Sequence, residues 1–534
     1  MTATATATAT VTVAAPLAEA CGFIAEMVKM RANERPHHRA VVQDGEAIDY
    51  AAFDRSIDRV AAALQGDGAS ERGAIAICAG TSINYVIVFL GALRAGIAVA
   101  PLAPSLTATN LADMIADSDA THMFLDAAAA TNLGSLRGSL SARCIALDGS
   151  NAGEPLAQWL QAAPETPSSV TIDPDWPFNI IYSSGTTGTP KGIVQPHRMR
   201  WAHIQRGPMY GYGPEAISLI STPLYSNTTL VAVLPVLALG GTLVLMAKFD
   251  AAGYLALAQR EHVTHTMLVP VQYQRIMALA DFDRYDLSSF RVKFSTSAPF
   301  SASLKAEILR RWPGGLIEFY GMTEGGGTCI LVGHERPDKL HSVGLPVQGH
   351  DIRIIDEDGL ELPRGAVGEI VGRSPAMMTG YHKRDEMTAR AEWFDAKGNR
   401  FIRTGDIGRF DEDGFLVILD RKKDMIISGG FNVYPSDIEA VLRSHDDVVE
   451  VAVVGVPSTQ WGETPVAFAV LKAGSRGDGD ALRDWVNARV AKTQRLASVQ
   501  IVDALPRSPI GKILKRELRD IYAAATLKAR ADAD

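Results

Sequence analysis

Cysteine is scarce in this 534-residue chain, which has only Cys21, Cys78, Cys144 and Cys329. They are scattered, with no CxxC pair and no His-rich company, which argues against a disulfide framework or a Cys/His zinc site and fits a reducing, cytoplasmic setting. Basic excess is missing too. A formal net charge of −8 and a pI near 5.9 provide no field to hold a phosphate backbone, so nucleic acid is not expected as the main partner. The opening MTATATATATVTVAAP has neither a basic residue nor an apolar core; it does not read as a secretory signal, and residues 1–16 are expected to be a disordered tail. Nor is there an uninterrupted run of membrane-spanning length. Residues 83–102 carry Asn84 and Arg94, and residues 230–247 are broken by Pro235 and Gly240-Gly241, so each predicts a buried helix followed by a buried strand, not a transmembrane span. No internal repeat is found.

What is present is apolar material enough for more than one core, 47% hydrophobic residues against 21% charged. From Ala74 the pattern runs strand (AIAIC), helix (INYVIVFLGALRAG, closed by Gly96) and strand (IAVAPL), and similar units recur through TLVLMAK and HTMLVP. Alternation of this kind predicts α/β architecture, with parallel sheets covered by helices. Past about Gly349 the texture changes to short strands joined by Asp-Gly turns at Asp358-Gly359 and Asp413-Gly414, a smaller β-rich subdomain over about 345–420. After Asp420 and the charged RKKD comes a compact α+β pattern: a helix from YPSDIEAVL, strands VVEVAVVGV and PVAFAVLK, and a helix soon after Gly477. Ser436 and Glu439 have the spacing of a capping box, and Ile438, Val441 and Leu442 share one face. A boundary near 420 separates a domain over 17–420 from a small one over 421–534.

The stretch IYSSGTTGTPKGIV, residues 181–194, concentrates small hydroxyl residues and glycines beside one lysine. Backbone N–H groups in such a turn converge on an anion, and the lysine adds a mobile positive charge. It is neither a Walker A motif nor GxGxxG, because Lys191 follows Pro190 and precedes Gly192. On composition alone a polar surface loop between strand FNIIYS and a following helix remains an equal reading.

The whole string YSSGTTGTPKG resembles the phosphate loop of the AMP-forming adenylating enzymes: acyl-CoA synthetases, peptide-synthetase adenylation domains and firefly luciferase. The resemblance continues in order through FYGMTEGGG (319–327), VGEIVGR (367–373), RTGDIG (403–408), LDRKKDMIISGGFNVYPSDIE (419–439) and PRSPIGKILK (506–515). It implies an acid:CoA ligase that forms an acyl-AMP with release of pyrophosphate and then a thioester, with ATP, Mg²⁺ and CoA as co-substrates. It also implies that the C-terminal domain is mobile and rotates between the two half-reactions.

By that likeness Ser184, Gly185, Thr186, Thr187, Gly188 and Lys191 cradle the departing phosphates. Tyr320 stacks on adenine beside Gly321 and Met322; Thr323 donates to the α-phosphate; Glu324 holds Mg²⁺. Ser297, Ala298 and Pro299 lie beneath the base, Asp406 accepts the ribose hydroxyls, and Arg421 reaches ribose and phosphate. Lys423 falls at the hinge. Lys512 is the catalytic lysine of adenylation, on a segment that also reads as an amphipathic helix with Leu514 and Leu518 inward and Lys515, Arg516 and Arg519 on its surface. Ser428, Gly429 and Gly430 line the CoA tunnel, where glycine leaves room for a thin ligand.

The acyl pocket maps to Arg206, Tyr225, Ser226, Asn227, Thr228, Gly326 and Gly327, roomy and partly polar, suited to a bulky or aromatic acid or a medium- to long-chain one. Ser226 stands where relatives frequently have His, which leaves their usual gate unassigned. PLYSNTT has no Asp to pair with an amino-acid ammonium, and the stretch after Lys512 is too short for a fused carrier domain, both against a peptide-synthetase reading. A ligase that loads a separate carrier protein, or a silent nucleotide-binding relative, stays open, as does homodimer formation.

Overall fold

A computed structural model describes residues 17–183, 191–428, 431–475, 477–508 and 511–531. The expected tail, residues 184–188 of the phosphate loop, and Gly429 and Gly430 lie outside the described residues. The expected α/β architecture is found. One sheet of nine strands runs Leu345–Pro346, Cys329–Val332, Gly315–Tyr320, Val292–Ser295, His265–Leu268, Ile217–Ile220, Thr242–Leu245, Arg39–Gln43, Glu46–Asp49. Its central pairings are parallel, as the two-sided apolar strands require. A second sheet, of eight strands, has Ala74–Cys78 between Ala98–Pro101 and Ala120–Leu125, with Pro177–Ser183 next to Ala98–Pro101.

Helix Ile83–Arg94 and helix Asn227–Ala238 are buried along nearly their whole lengths, and both share one core with side chains of the two sheets. The first starts at Ser82, whose hydroxyl accepts from Tyr85 N, and is closed just beyond its end by Gly96 at φ +72°. The second is not broken by Pro235, as the sequence suggested. It runs on to Ala238, and the chain turns at Gly240 (φ +82°) before the strand Thr242–Leu245. Among the described residues no helix is long and apolar enough to cross a membrane.

The β-rich region forms its own sheet. Strand Arg400–Phe410 pairs with Gly368–Arg373, Glu392–Phe394 and Leu416–Arg421. Beyond it a fourth sheet contains Ile426–Ser428, Phe431–Val433, Val448–Ser458, Gly462–Leu471 and Ser498–Ile501, and packs on helices Pro435–Arg443 and Gly479–Asn487. Ile438 and Leu442 are fully buried there, as their spacing predicts.

The capping box expected at Ser436 and Glu439 is not formed. Pro435 is the first helical residue, so Ser436 lies inside the first turn. Its hydroxyl donates to Leu419 O and its N–H to Asp420 Oδ2 at 3.0 Å, while Glu439 accepts from Val453 N at 2.9 Å. Ser436 therefore fastens the helix start to the preceding strand end. Helix Lys515–Ala531 begins one residue after Leu514; Leu518 is fully buried and Tyr522 packs against the same cluster. Two of the expected surface cations are paired, Lys515 with Glu439 and Arg519 with Asp424, each at 3.0 Å.

Tyr50 ties the central helix to its surroundings: its buried hydroxyl lies 2.8 Å from Gly241 O and 3.1 Å from Leu237 O, the acceptors left over where that helix ends. Tyr50→Phe keeps the ring and removes the donor; we expect a loss of about 1–2 kcal/mol, read as a lower urea midpoint with unchanged slope.

Candidate active site

The loop between strands Gly315–Tyr320 and Cys329–Val332 meets strand Arg400–Phe410 at a single carboxylate. Tyr320 Oη donates to Asp406 Oδ2 at 2.9 Å, and Arg421 Nε donates to Oδ1 at 2.8 Å. Asp406 is only 8% exposed, and such a carboxylate persists because both oxygens are paired. Burial, and then the Asp406 charge, pushes the Tyr320 phenol up, so it remains a donor. Each Asp406 oxygen keeps a second lone pair.

Lys512 reaches this spot from the far end of the chain. Residues 506–508 and 511–514 are tied to one another: Ser508 N donates to Lys512 O, Leu514 N to Pro506 O, and Arg507 Nη1 to Gly511 O at 2.7 Å. Arg507 is itself fixed by Glu450 at 2.9 Å. A side chain added at Gly511 would run into Val271, so the loop is seated on helix Pro270–Met277 of the N-terminal part. Burial pushes the Lys512 ammonium down to about 8, aided by Arg421 and Lys423 and opposed by Asp406 and Asp424. Lys423 is lowered as well, by burial first, with Lys191 among the charges acting on it. Lys191, Asp406, Arg421, Lys423 and Lys512, spread over more than 300 residues of sequence, thus share one electrostatic neighbourhood.

Lys191 opens strand Lys191–Pro196, which pairs antiparallel with Pro177–Ser183. The glycine-rich stretch accordingly joins two strands of a hairpin, where the sequence suggested a strand passing into a helix. Lys191 Nζ lies 5.7 Å above the Tyr381 ring, and Tyr381 Oη donates to Glu324 Oε1 at 2.8 Å. No hydrogen bond or ion pair among the described residues engages Glu324 Oε2. Among the described residues no three His, Cys, Asp or Glu side chains converge, so Glu324 suits a hard cation held jointly with phosphate oxygens, not a cage of protein ligands.

Sequence reasoning missed what stands behind Thr323. Gln195 Nε2 donates to Thr323 O at 2.6 Å and to Asn227 Oδ1 at 3.3 Å. Gln195 Oε1 accepts from Asn179 Nδ2 at 3.0 Å and from Arg200 Nη2, and Arg200 Nε donates to Asn179 Oδ1 at 3.1 Å. Asn179 and Gln195 are 0% exposed and Arg200 1%. Burial alone lowers the Arg200 guanidinium to about 9. A signal was present: Asn179, Gln195 and Arg200 are polar residues inside otherwise apolar stretches, and buried polar groups come in hydrogen-bonded sets.

Thr228, on the first turn of helix Asn227–Ala238, shares a hydrogen bond with Ser297. Ser297 holds φ +79°, a costly conformation for a residue with a side chain. Ala298 and Pro299 follow in the same loop, before helix Ala302–Arg311. Ser226 is the residue before the central helix, and Tyr225 lies among Cys78 and Tyr85, where burial pushes its phenol up to about 12. Met322 packs near Ile193, Met378 and Ile402, and Gly321 approaches Gly327 O.

The room expected at Gly326 and Gly327 is not there. A Cβ on Gly326 would meet Ile402 at 2.7 Å and one on Gly327 would meet Ile352 at 3.1 Å, so these glycines let the loop lie against the β-rich sheet. Ser428 pairs with Phe431 and Gly462 in the fourth sheet. Among the described residues no hydrogen bond or ion pair joins it to the Lys512 cluster.

The family described as AMP-binding enzyme matches residues 28–382, and the AMP-binding enzyme C-terminal domain matches 437–512. A feruloyl-CoA synthase of Amycolatopsis sp is 34% identical over 497 residues, 92% of this chain and 97% of that protein. 4-Coumarate--CoA ligase 5 of Oryza sativa subsp. japonica is 32% identical and covers 90% of each chain. The amide bond synthetase McbA from Marinactinospora thermotolerans superposes with a TM-score of 0.83 at 30% identity, over 93% of this chain and 99% of that one. On these matches the chain belongs to the AMP-binding enzymes, the adenylate-forming superfamily of acyl-CoA synthetases.

Proposed function

We propose that the chain activates a carboxylic acid with ATP and passes the acyl group to CoA, in two steps at the Asp406–Lys512 neighbourhood. The observation that carries this reading is that Asp406, Arg421 and Lys423 act on Lys512, while Lys191 acts on Lys423 and lies over the ring of Tyr381, which holds Glu324. In the first step a carboxylate oxygen attacks the α-phosphorus, the bond to pyrophosphate breaks, and acyl-AMP remains. Lys512 places positive charge where two anions approach and where charge grows in the transition state. Thr323 donates to the α-phosphate; Tyr320 stacks on the base, above the turn formed by Ser297, Ala298 and Pro299. The Asp406 oxygens accept the ribose hydroxyls with their remaining lone pairs.

Residues 184–188 and Lys191 hold the departing pyrophosphate, and Glu324 would hold Mg²⁺, which when bound would supply charge neutralisation at the phosphates. In the second step the CoA sulfur attacks the acyl carbon, AMP leaves and the thiol gives up its proton. For that step the C-terminal part rotates about Lys423 and brings Ser428, Gly429 and Gly430 to the site. The relatives named for feruloyl and coumarate support an aromatic acid, and the hydroxyls of Ser226 and Thr228 with the amide of Asn227 give the pocket its polar part. McbA shows that this fold also serves amide bond synthesis, so the acceptor is the part to test.

The ligase reading requires acid-dependent exchange of labelled pyrophosphate into ATP, and AMP release that depends on CoA and not on an added amine or carrier protein. Lys512→Ala is expected to slow exchange by at least about 10²-fold, yet to spare thioester formation from supplied acyl adenylate; equal loss in both assays refutes the role given to Lys512.

Lys512 acts while protonated, and its free-enzyme value of about 8 is lowered from the ordinary lysine range. The kcat/KM for exchange should therefore fall as pH rises through about 8. Lys512→Arg, which stays charged, should remove that alkaline limb whatever its absolute rate.

A further inference from the structure

Arg206 caps helix His197–Gln205, and its half-buried side chain meets a histidine it cannot satisfy. Arg206 Nη2 lies 2.6 Å from His350 Nε2, while His350 Nδ1 faces the backbone N–H of Thr328 at 2.9 Å. A neutral imidazole has one N–H and one lone pair, and a guanidinium has only donors. With the ring proton on Nε2 it confronts Arg206; with the proton on Nδ1 it confronts Thr328 N–H. Either tautomer sets donor against donor, so the contact lacks an acceptor.

The surroundings repeat the deficit. Arg200, His203 and Arg206 recur every third residue on one side of the helix. His203 Nδ1, Arg200 Nη1 and the hydroxyl of Tyr210, a residue that interacts electrostatically with Arg206, are buried without a hydrogen-bond partner. No carboxylate pairs with Arg200 or Arg206 among the described residues, although buried cations are normally paired.

The place of this group in the site suggests what supplies the acceptor. At one end, Arg200 holds Gln195 and through it Thr323, proposed to donate to the α-phosphate that the reacting carboxylate attacks. At the other, Thr328 N, which His350 meets, closes the loop that begins at Tyr320. Six residues of helix separate Arg200 from Arg206, about 9 Å along the axis, the reach of an aromatic ring carrying a short side chain. Tyr210, which interacts with Arg206, forms edge contacts with Phe294 and Phe319, each at 5.6 Å between ring centroids, an aromatic wall beside the guanidinium.

We infer that Arg206 and His350 recognise an oxygen acceptor at the far end of the acid, so that the preferred substrate is an aromatic carboxylic acid bearing a second carboxylate or a ring hydroxyl opposite the reacting group. The inference rests on the ligase reading given above. It makes Arg206 a specificity determinant for the acid, with no part in the nucleotide chemistry.

Pyrophosphate exchange with cinnamate carrying carboxyl, hydroxyl, methyl or hydrogen at the para position tests it. Wild type should prefer the carboxyl and hydroxyl acids over the methyl acid by at least about tenfold in kcat/KM. Arg206→Met should bring that ratio close to one, and Arg206→Lys should retain part of it. A wild-type ratio near one overturns the inference even if no variant folds. If a free anion fills the site instead, added sulfate raises the thermal midpoint of wild type while the ratio stays near one, which also overturns it. Exchange with all four acids alike refutes this inference alone, as does exchange with none of them while another carboxylic acid supports it; exchange with no carboxylic acid at all refutes the ligase reading and this inference with it.

Discussion

Everything at the centre of this molecule hangs on the Asp406 carboxylate. Tyr320 comes from the nine-stranded sheet, Asp406 from the β-rich sheet and Arg421 from the strand end that leads into the C-terminal part; the two hydrogen bonds at Asp406 lock the three together. Pairing gives a nearly buried carboxylate a partner for each oxygen. It also fixes where Arg421 sits, and so the field felt by Lys512.

That field is lopsided. Lys191, Arg421, Lys423 and Lys512 face Asp406 and Asp424, with Glu324 engaged by Tyr381. Burial first, and the neighbouring cations after it, lowers Lys423 and Lys512, so the free protein holds these like charges together at an energetic cost. A polyphosphate relieves it, so part of the affinity for nucleotide is built in as repulsion among the protein's own side chains.

The parts of this arrangement that were legible in the sequence lie in short ordered motifs: Tyr320, Asp406, Arg421 and Lys512 come from such motifs, and Tyr320 and Arg421 both bond Asp406, whose charge acts on Lys512. The alternation from Ala74 onward gave the helix-covered sheets because apolar period is local information. What stayed hidden depends on long-range pairing. Nothing near Gln195 announces that it holds Thr323, and nothing near Arg206 announces His350, since each partner lies more than 100 residues away. Local rules also failed where tertiary contacts outbid them. Ser436 has the spacing of a cap, but Pro435 starts the helix first and Ser436 serves Leu419 and Asp420 instead.

The glycines after Glu324 carry a consequence for length. A Cβ on Gly372 would fall 1.6 Å from Gly326 O, so the loop bearing Thr323 and Glu324 rests main chain to main chain on strand Gly368–Arg373, the neighbour of the strand that carries Asp406. No rotamer or flexible side chain intervenes. The separation between Asp406 and Thr323 is therefore a fixed gauge, cut to one molecular span, and a substituent as small as a methyl group at Gly372 would reset it.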